Sequence, residues 1–91
     1  MRVVITYDIR NNGRRTKIAN TLEGYAERVQ KSVFEGEMSH YQYKRLQRRL
    51  SLIKLGQEDS VRFYSLCKIC EDKINIEGVG DVVRAPTHFI V

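Results

Sequence analysis

Asp8 is the residue of this 91-residue chain with the clearest potential for chemistry. It stands near the end of Val3-Val4-Ile5-Thr6-Tyr7-Asp8-Ile9, a run that is otherwise mostly apolar and β-branched. A carboxylate in such a run is costly to bury unless it is paired, protonated or bound to a cation. The residues leave two readings open: Asp8 caps the turn after a strand, or it holds a metal. Magnesium usually takes several oxygen ligands. One carboxylate is too few, and a second Asp8 from another copy of the chain would add to the set. Tyr7 precedes it, but its alternation with Val3 and Ile5 predicts packing instead of catalysis.

Two purely basic stretches offer a different chemistry. Residues 10–17 carry Arg10, Arg14, Arg15 and Lys17, and residues 44–54 carry Lys44, Arg45, Arg48, Arg49 and Lys54. Residues 1–54 hold 12 basic and five acidic side chains, a balance of +7, whereas residues 55–91 hold four and six, a balance of −2. A solvated helix face usually mixes signs, so unmixed cations favour a polyanionic partner, most often nucleic acid. Arg28, Gln30, Ser32 and Phe34 alternate along one segment. They are expected to share a face, either as phosphate contacts or as a half-exposed edge.

Cys67-x-x-Cys70 is the remaining motif. A structural zinc site needs a second such pair or two histidines at ligand spacing, and His40 and His88 do not supply them. A thioredoxin-like pair usually follows the first strand, and this one falls late. The expectation is two half-buried thiols near a strand end. Gly78-Val79-Gly80 has Val83 where a phosphate loop would place its third glycine, and no helix follows it.

The elements that must position these residues can be read coarsely. Residues 3–9 predict a central strand covered on both faces. A helix follows over about 13–26, with Ile18, Ala19, Leu22, Tyr25 and Ala26 as its apolar stripe. Its cations crowd the N-terminal turns, where they oppose the helix dipole but suit an incoming phosphate. Residues 28–38 read as one bent strand or two short ones. Ser39 with Gln42 is a capping box for a second helix lined by Tyr43, Leu46, Leu50 and Ile53. Residues 60–66 form a strand. Residues 68–80 predict a short helical turn and an extended piece near 73–76, and residues 86–91 a terminal apolar strand. This order predicts an α+β sandwich, most simply ferredoxin-like, in one domain spanning residues 1–91. Helices on one face leave the other bare, and a homodimer is expected to bury it.

Composition sets the outer limits. A hydrophobic content of 42% excludes disorder as the main state. No apolar run outlasts Val3-Val4-Ile5, which is far short of a membrane span. No signal peptide is visible, and two cysteines without an export signal point to a reducing, cytoplasmic setting.

Tyr7-Asp8-Ile9, Arg14-Arg15 and Arg28-Val29-Gln30-Lys31-Ser32-Val33-Phe34-Glu35-Gly36, in this order, resemble the small Cas2 proteins of CRISPR adaptation. The resemblance continues through the basic second helix and Ser60-Val61-Arg62-Phe63-Tyr64. It implies a ferredoxin-like homodimer in which an extra C-terminal strand joins the partner's sheet. It also implies that paired Asp8 residues bind one Mg²⁺. The family's supporting arginines fall on Arg15 and Arg28, and its aromatic on Phe34. Lys17 stands where some members have arginine, and it contacts phosphate without a bidentate clasp. The resemblance further implies magnesium-dependent endonuclease activity on single-stranded RNA or double-stranded DNA. It implies a scaffold role as well, in which the dimer bridges the CRISPR integrase and supports the prespacer duplex during new-spacer acquisition. Nucleic-acid contacts are expected at Arg14, Arg15, Lys17, Arg28, Lys44, Arg45, Arg48 and Arg49. A ferredoxin-like regulatory or nucleic-acid-binding domain without catalysis is the alternative.

Overall fold

A computed structural model of the chain describes residues 1–80 and 82. The expected C-terminal strand at 86–91 lies outside the described residues. The elements run β1 (Arg2–Asp8), α1 (Asn12–Glu23), β2 (Glu27–Gln30), β3 (Val33–Glu37), α2 (His40–Ser51), β4 (Ser60–Leu66) and a single helical turn, α3 (Lys68–Glu71). The four strands form one antiparallel sheet in the order β2-β3-β1-β4. This is the βαββαβ arrangement that the element order predicts. Among the described residues no helix is long and apolar enough to cross a membrane.

The β-branched run forms the centre of the sheet because both of its edges are paired. Ile5 lies between Phe34 of β3 and Phe63 of β4. Val3, Ile5 and Tyr7 point to the helices and are buried with Phe34, Ile18, Leu22, Leu46 and Leu50 in one apolar cluster. Alternation sends Val4, Thr6 and Asp8 to the opposite face. There Val4 and Thr6 are only half-buried and Asp8 is exposed. Among the described residues α1 and α2 cover one face of β1, and the other is the face that the expected homodimer would bury. Arg2, at the start of the open face, is buried with acids around its guanidinium. Its Nε lies 3.0 Å from Glu71 Oε1 and its Nη1 lies 3.6 Å from Glu35 Oε1.

Residues 27–37 are two strands joined by a turn at Lys31 and Ser32, with a bulge between Arg28 and Gln30. The reversal overturns the single polar face expected of Arg28, Gln30, Ser32 and Phe34. Arg28 pairs with Phe34 across the hairpin, Gln30 pairs with Val33, and Phe34 is fully buried. The first helix also ends earlier than its apolar stripe: α1 stops at Glu23, and Tyr25 and Ala26 pack from the segment after it. No strand forms near residues 73–76.

Gly36 lets that segment approach the sheet. A Cβ added at Gly36 would stand 2.9 Å from both Ala26 Cβ and Tyr25 O. Backbone cannot give way as a flexible side chain can. Gly36→Ala is expected to destabilise the fold by about 1–3 kcal/mol, read as a lower urea midpoint at unchanged slope. A midpoint equal to the parent's would show that β3 and the end of α1 are not held at this spacing.

Candidate functional site

The Asp8 end of β1 is built from three segments. Asp8 pairs with Ser60 at the start of β4, and its carboxylate is exposed, with no hydrogen bond or ion pair among the described residues. Ile9 turns back into the core. Asn11 then caps α1, accepting a hydrogen bond from Arg14 N at 2.8 Å. The cap starts α1 at Asn12, one residue before the helix expected over about 13–26.

Arg15 reaches back over this loop. Its Nε donates to Ile9 O at 3.1 Å, its Nη2 to Arg10 O at 3.0 Å and its Nη1 to Asn12 Oδ1 at 2.8 Å. The guanidinium thus braces the two residues that follow Asp8. Two of its five N–H groups remain for another acceptor.

Arg14 and Arg10 are held by acids that sequence reading did not connect with them. Asp59 Oδ2 accepts from Arg14 Nη1 at 2.6 Å and from Gly56 N at 2.8 Å, and its Oδ1 accepts from Arg10 N at 3.0 Å. Arg10 Nη2 pairs with Glu58 at 3.3 Å in full exposure, a contact worth little. Asp59 therefore clips the α2–β4 loop to the β1–α1 loop. It also brings negative charge to the start of α1, whose first turn has no acid of its own. A polar residue in a Gly-x-x-Asp loop was the available signal, but its partners lie 45 and 49 residues away.

The backbone N–H groups of Arg10 and Gly56, with Arg14 beside them, hold the Asp59 carboxyl below the usual carboxylate range despite opposing desolvation. A depressed carboxyl contributes stability above the unfolded pKa and loses it as pH falls through the folded pKa. The melting temperature of the parent is therefore expected to fall at pH values below the ordinary carboxylate range. Asp59→Asn should melt lower at neutral pH and show a flatter acid limb. Parallel curves for the two proteins would remove Asp59 as the clip.

Arg28 reaches the same end of the sheet through the hairpin turn. Tyr7 is buried, and its hydroxyl donates to Lys31 O at 3.2 Å, while Arg28 Nη1 donates to the same carbonyl at 3.3 Å. The Arg28 guanidinium also lies 5.2 Å from the centre of the Phe34 ring. Phe34 is thus a buried platform for Arg28, and Tyr7 packs as its alternation predicts.

The second basic stretch lies elsewhere, on α2. Leu46 and Leu50 face the core, and Tyr43 and Ile53 pack against it. Tyr41, Lys44, Arg45, Arg48 and Arg49 form an exposed groove on the outer side, spaced i, i+3, i+4, i+7 and i+8. No acid lines it. Arg48 and Arg49 also complement the C-terminal end of the helix dipole. Lys17 is exposed on α1. The structure therefore separates the expected binding residues: Arg15 and Arg28 brace the Asp8 end, Arg14 is paired with Asp59, and among the described residues the α2 cations form a continuous surface without acids.

Hard cations take oxygen ligands, and an exposed carboxylate with no cation partner among the described residues is a suitable donor for Mg²⁺. Among the described residues no group of three or more His, Cys, Asp or Glu side chains gathers for a metal. The described residues of one copy thus gather no three-ligand set around Asp8, and the donors fit Mg²⁺ better when a second Asp8 is added.

Comparison with known proteins bears on this arrangement. A family model described as CRISPR associated protein Cas2 matches residues 1–74. The CRISPR-associated endoribonuclease Cas2 3 of Synechocystis is 43% identical over 88 residues, covering 97% of this chain and 96% of that protein. The crystal structure of Streptococcus pyogenes Cas2 at pH 6.5 superposes with a TM-score of 0.72 at 31% identity, over 86% of this chain and 100% of that one. A chain from a partial Cas6-RT-Cas1–Cas2 complex superposes with a TM-score of 0.74 at 26% identity, over 99% and 98% of the two chains.

Proposed function

Because the chain belongs to the Cas2 family of CRISPR-associated proteins, we propose that it acts in CRISPR adaptation as a homodimer. The dimer binds a prespacer duplex and bridges the CRISPR integrase during new-spacer acquisition. The observation that carries this reading is the acid-free groove of Tyr41, Lys44, Arg45, Arg48 and Arg49, a row of donors at helical spacing that suits successive phosphates. The likeness to a chain of a Cas6-RT-Cas1–Cas2 complex supports the integrase partnership.

The same dimer hydrolyses phosphodiesters in single-stranded RNA or double-stranded DNA. Its Asp8 and Asp8 of the partner subunit would hold Mg²⁺, which when bound supplies an activated water and charge stabilisation at phosphate. Arg15 braces the loop behind Asp8 and keeps two N–H groups for a phosphate oxygen. Arg28, steadied on Phe34 and Lys31 O, offers a second cation. The relative named as an endoribonuclease supports this activity.

Sedimentation of the full chain with and without a labelled duplex tests the scaffold reading. The expected result is a dimer that binds duplex and releases it as salt rises. A monomer, or a dimer without duplex affinity at low salt, would overturn it. Melting curves test the metal reading: Mg²⁺ should raise the melting temperature of the parent and leave Asp8→Asn unmoved.

A further inference from the structure

Cys67 and Cys70 take no part in the reading above, and the structure corrects what their sequence suggested. Both thiols are free and exposed, not half-buried. They sit on one turn: Cys67 is the residue before α3, Cys70 lies three positions on, and Glu71 N donates to Cys67 O at 3.0 Å to close the turn. Side chains three apart on a helical turn are neighbours, so the two thiols stand on one side of the same exposed turn.

We propose that Cys67 and Cys70 are a reversible redox pair that closes to an intrachain disulfide by exchange with a small-molecule disulfide such as glutathione disulfide. The Cys67 thiolate attacks one sulfur of the small disulfide, whose S–S bond breaks and releases one thiolate. The Cys70 thiolate then attacks the Cys67 sulfur, forming the Cys67–Cys70 bond and expelling the second small thiolate. Two electrons pass from the chain to the small disulfide. The two protons leave the cysteines and are carried by the two released thiols.

The order of attack follows from the surroundings. The Cys70 backbone N–H and then its thiol, both beside the Cys67 sulfur, hold the Cys67 thiol below its ordinary range. The same thiol contact, and then the charge on Cys67, push Cys70 up. The thiolate is the nucleophile in exchange, so Cys67 attacks first and Cys70 resolves. The ring closed by a Cys-x-x-Cys pair is short, so the disulfide removes less chain entropy than a long-range one. Excess thiol is therefore able to reopen it.

The turn carries more than its sulfurs. Glu71 follows Cys70 directly and holds buried Arg2 at the start of β1. Closing the disulfide fixes the turn that delivers this carboxylate to the open face of the sheet.

The test is intact mass spectrometry of the full chain after incubation with glutathione disulfide, with alkylation of the remaining thiols. The parent is expected to lose the mass of two hydrogens, to resist alkylation at both cysteines and to recover both thiols in dithiothreitol. Cys70→Ser should stop with one glutathione on Cys67. Cys67→Ser should react several-fold more slowly than Cys70→Ser. Both sites are exposed, so each serine variant should keep the parent's circular dichroism. Two glutathiones on the parent, a disulfide between chains, two persistent free thiols, or equal rates for the two variants would each overturn the proposal.

Discussion

Asp8→Asn should lower magnesium-dependent phosphodiester cleavage by roughly a hundred- to a thousand-fold, the equivalent of about 3–4 kcal/mol of transition-state stabilisation. It should do so without loss of fold, because Asp8 is exposed and has no protein partner among the described residues. In a dimer that brings two Asp8 carboxylates together, the substitution also removes like-charge repulsion. The metal-free variant should therefore melt at or above the parent. Parallel cleavage and spacer-acquisition assays separate the two roles. Cleavage lost with acquisition retained would make the scaffold role independent of the metal. Cleavage that survives in highly purified Asp8→Asn would take Asp8 out of the site.

Reversing charge on α2 should have the second large effect. Arg48→Glu combined with Arg49→Glu is expected to weaken duplex binding about a hundred-fold near 0.1 M salt, and to lower the salt slope by about one unit for each phosphate contact removed. The loss should be equal across sequences, since phosphate contacts carry no base information. Both residues are exposed and point away from Leu46 and Leu50, so the fold should persist. The same reversal at Arg14 should do less, because Arg14 is already held by Asp59. An unchanged affinity for the α2 variant, or a larger loss from Arg14→Glu, would move the nucleic acid from α2 to the β1–α1 loop.

What the sequence made legible was local. The β-branched run of β1 and the Ser39/Gln42 capping box depend on residues within a few positions of one another, and both appear as expected. The choice between one bent strand and two short ones at residues 28–38 stayed open because Lys31 and Ser32 carry none of the usual glycine or asparagine turn chemistry. The two strands are otherwise continuous in composition. Asp8 could be singled out as a misplaced carboxylate, but its freedom depends on what the fold brings near it. Likewise the basic run at residues 10–17 looked free of acids, and the acids that reach it come from residues 58 and 59. Charge counted along a chain misses partners that only a closed sheet supplies.

The pairing of β1 with β4 also governs when the site comes into being. The two strands match over seven residue pairs, from Arg2 opposite Leu66 to Asp8 opposite Ser60. The strand made first must wait for one made more than fifty residues later. Such long-range closure is the slow part of folding, since loop entropy is lost before the contacts form. Until then one edge of Val3-Val4-Ile5 has no β4 partner and can pair with another chain. Substitutions that weaken β4 should therefore show first as poor refolding yield and aggregation during synthesis, before any change in the activity of the molecules that do fold.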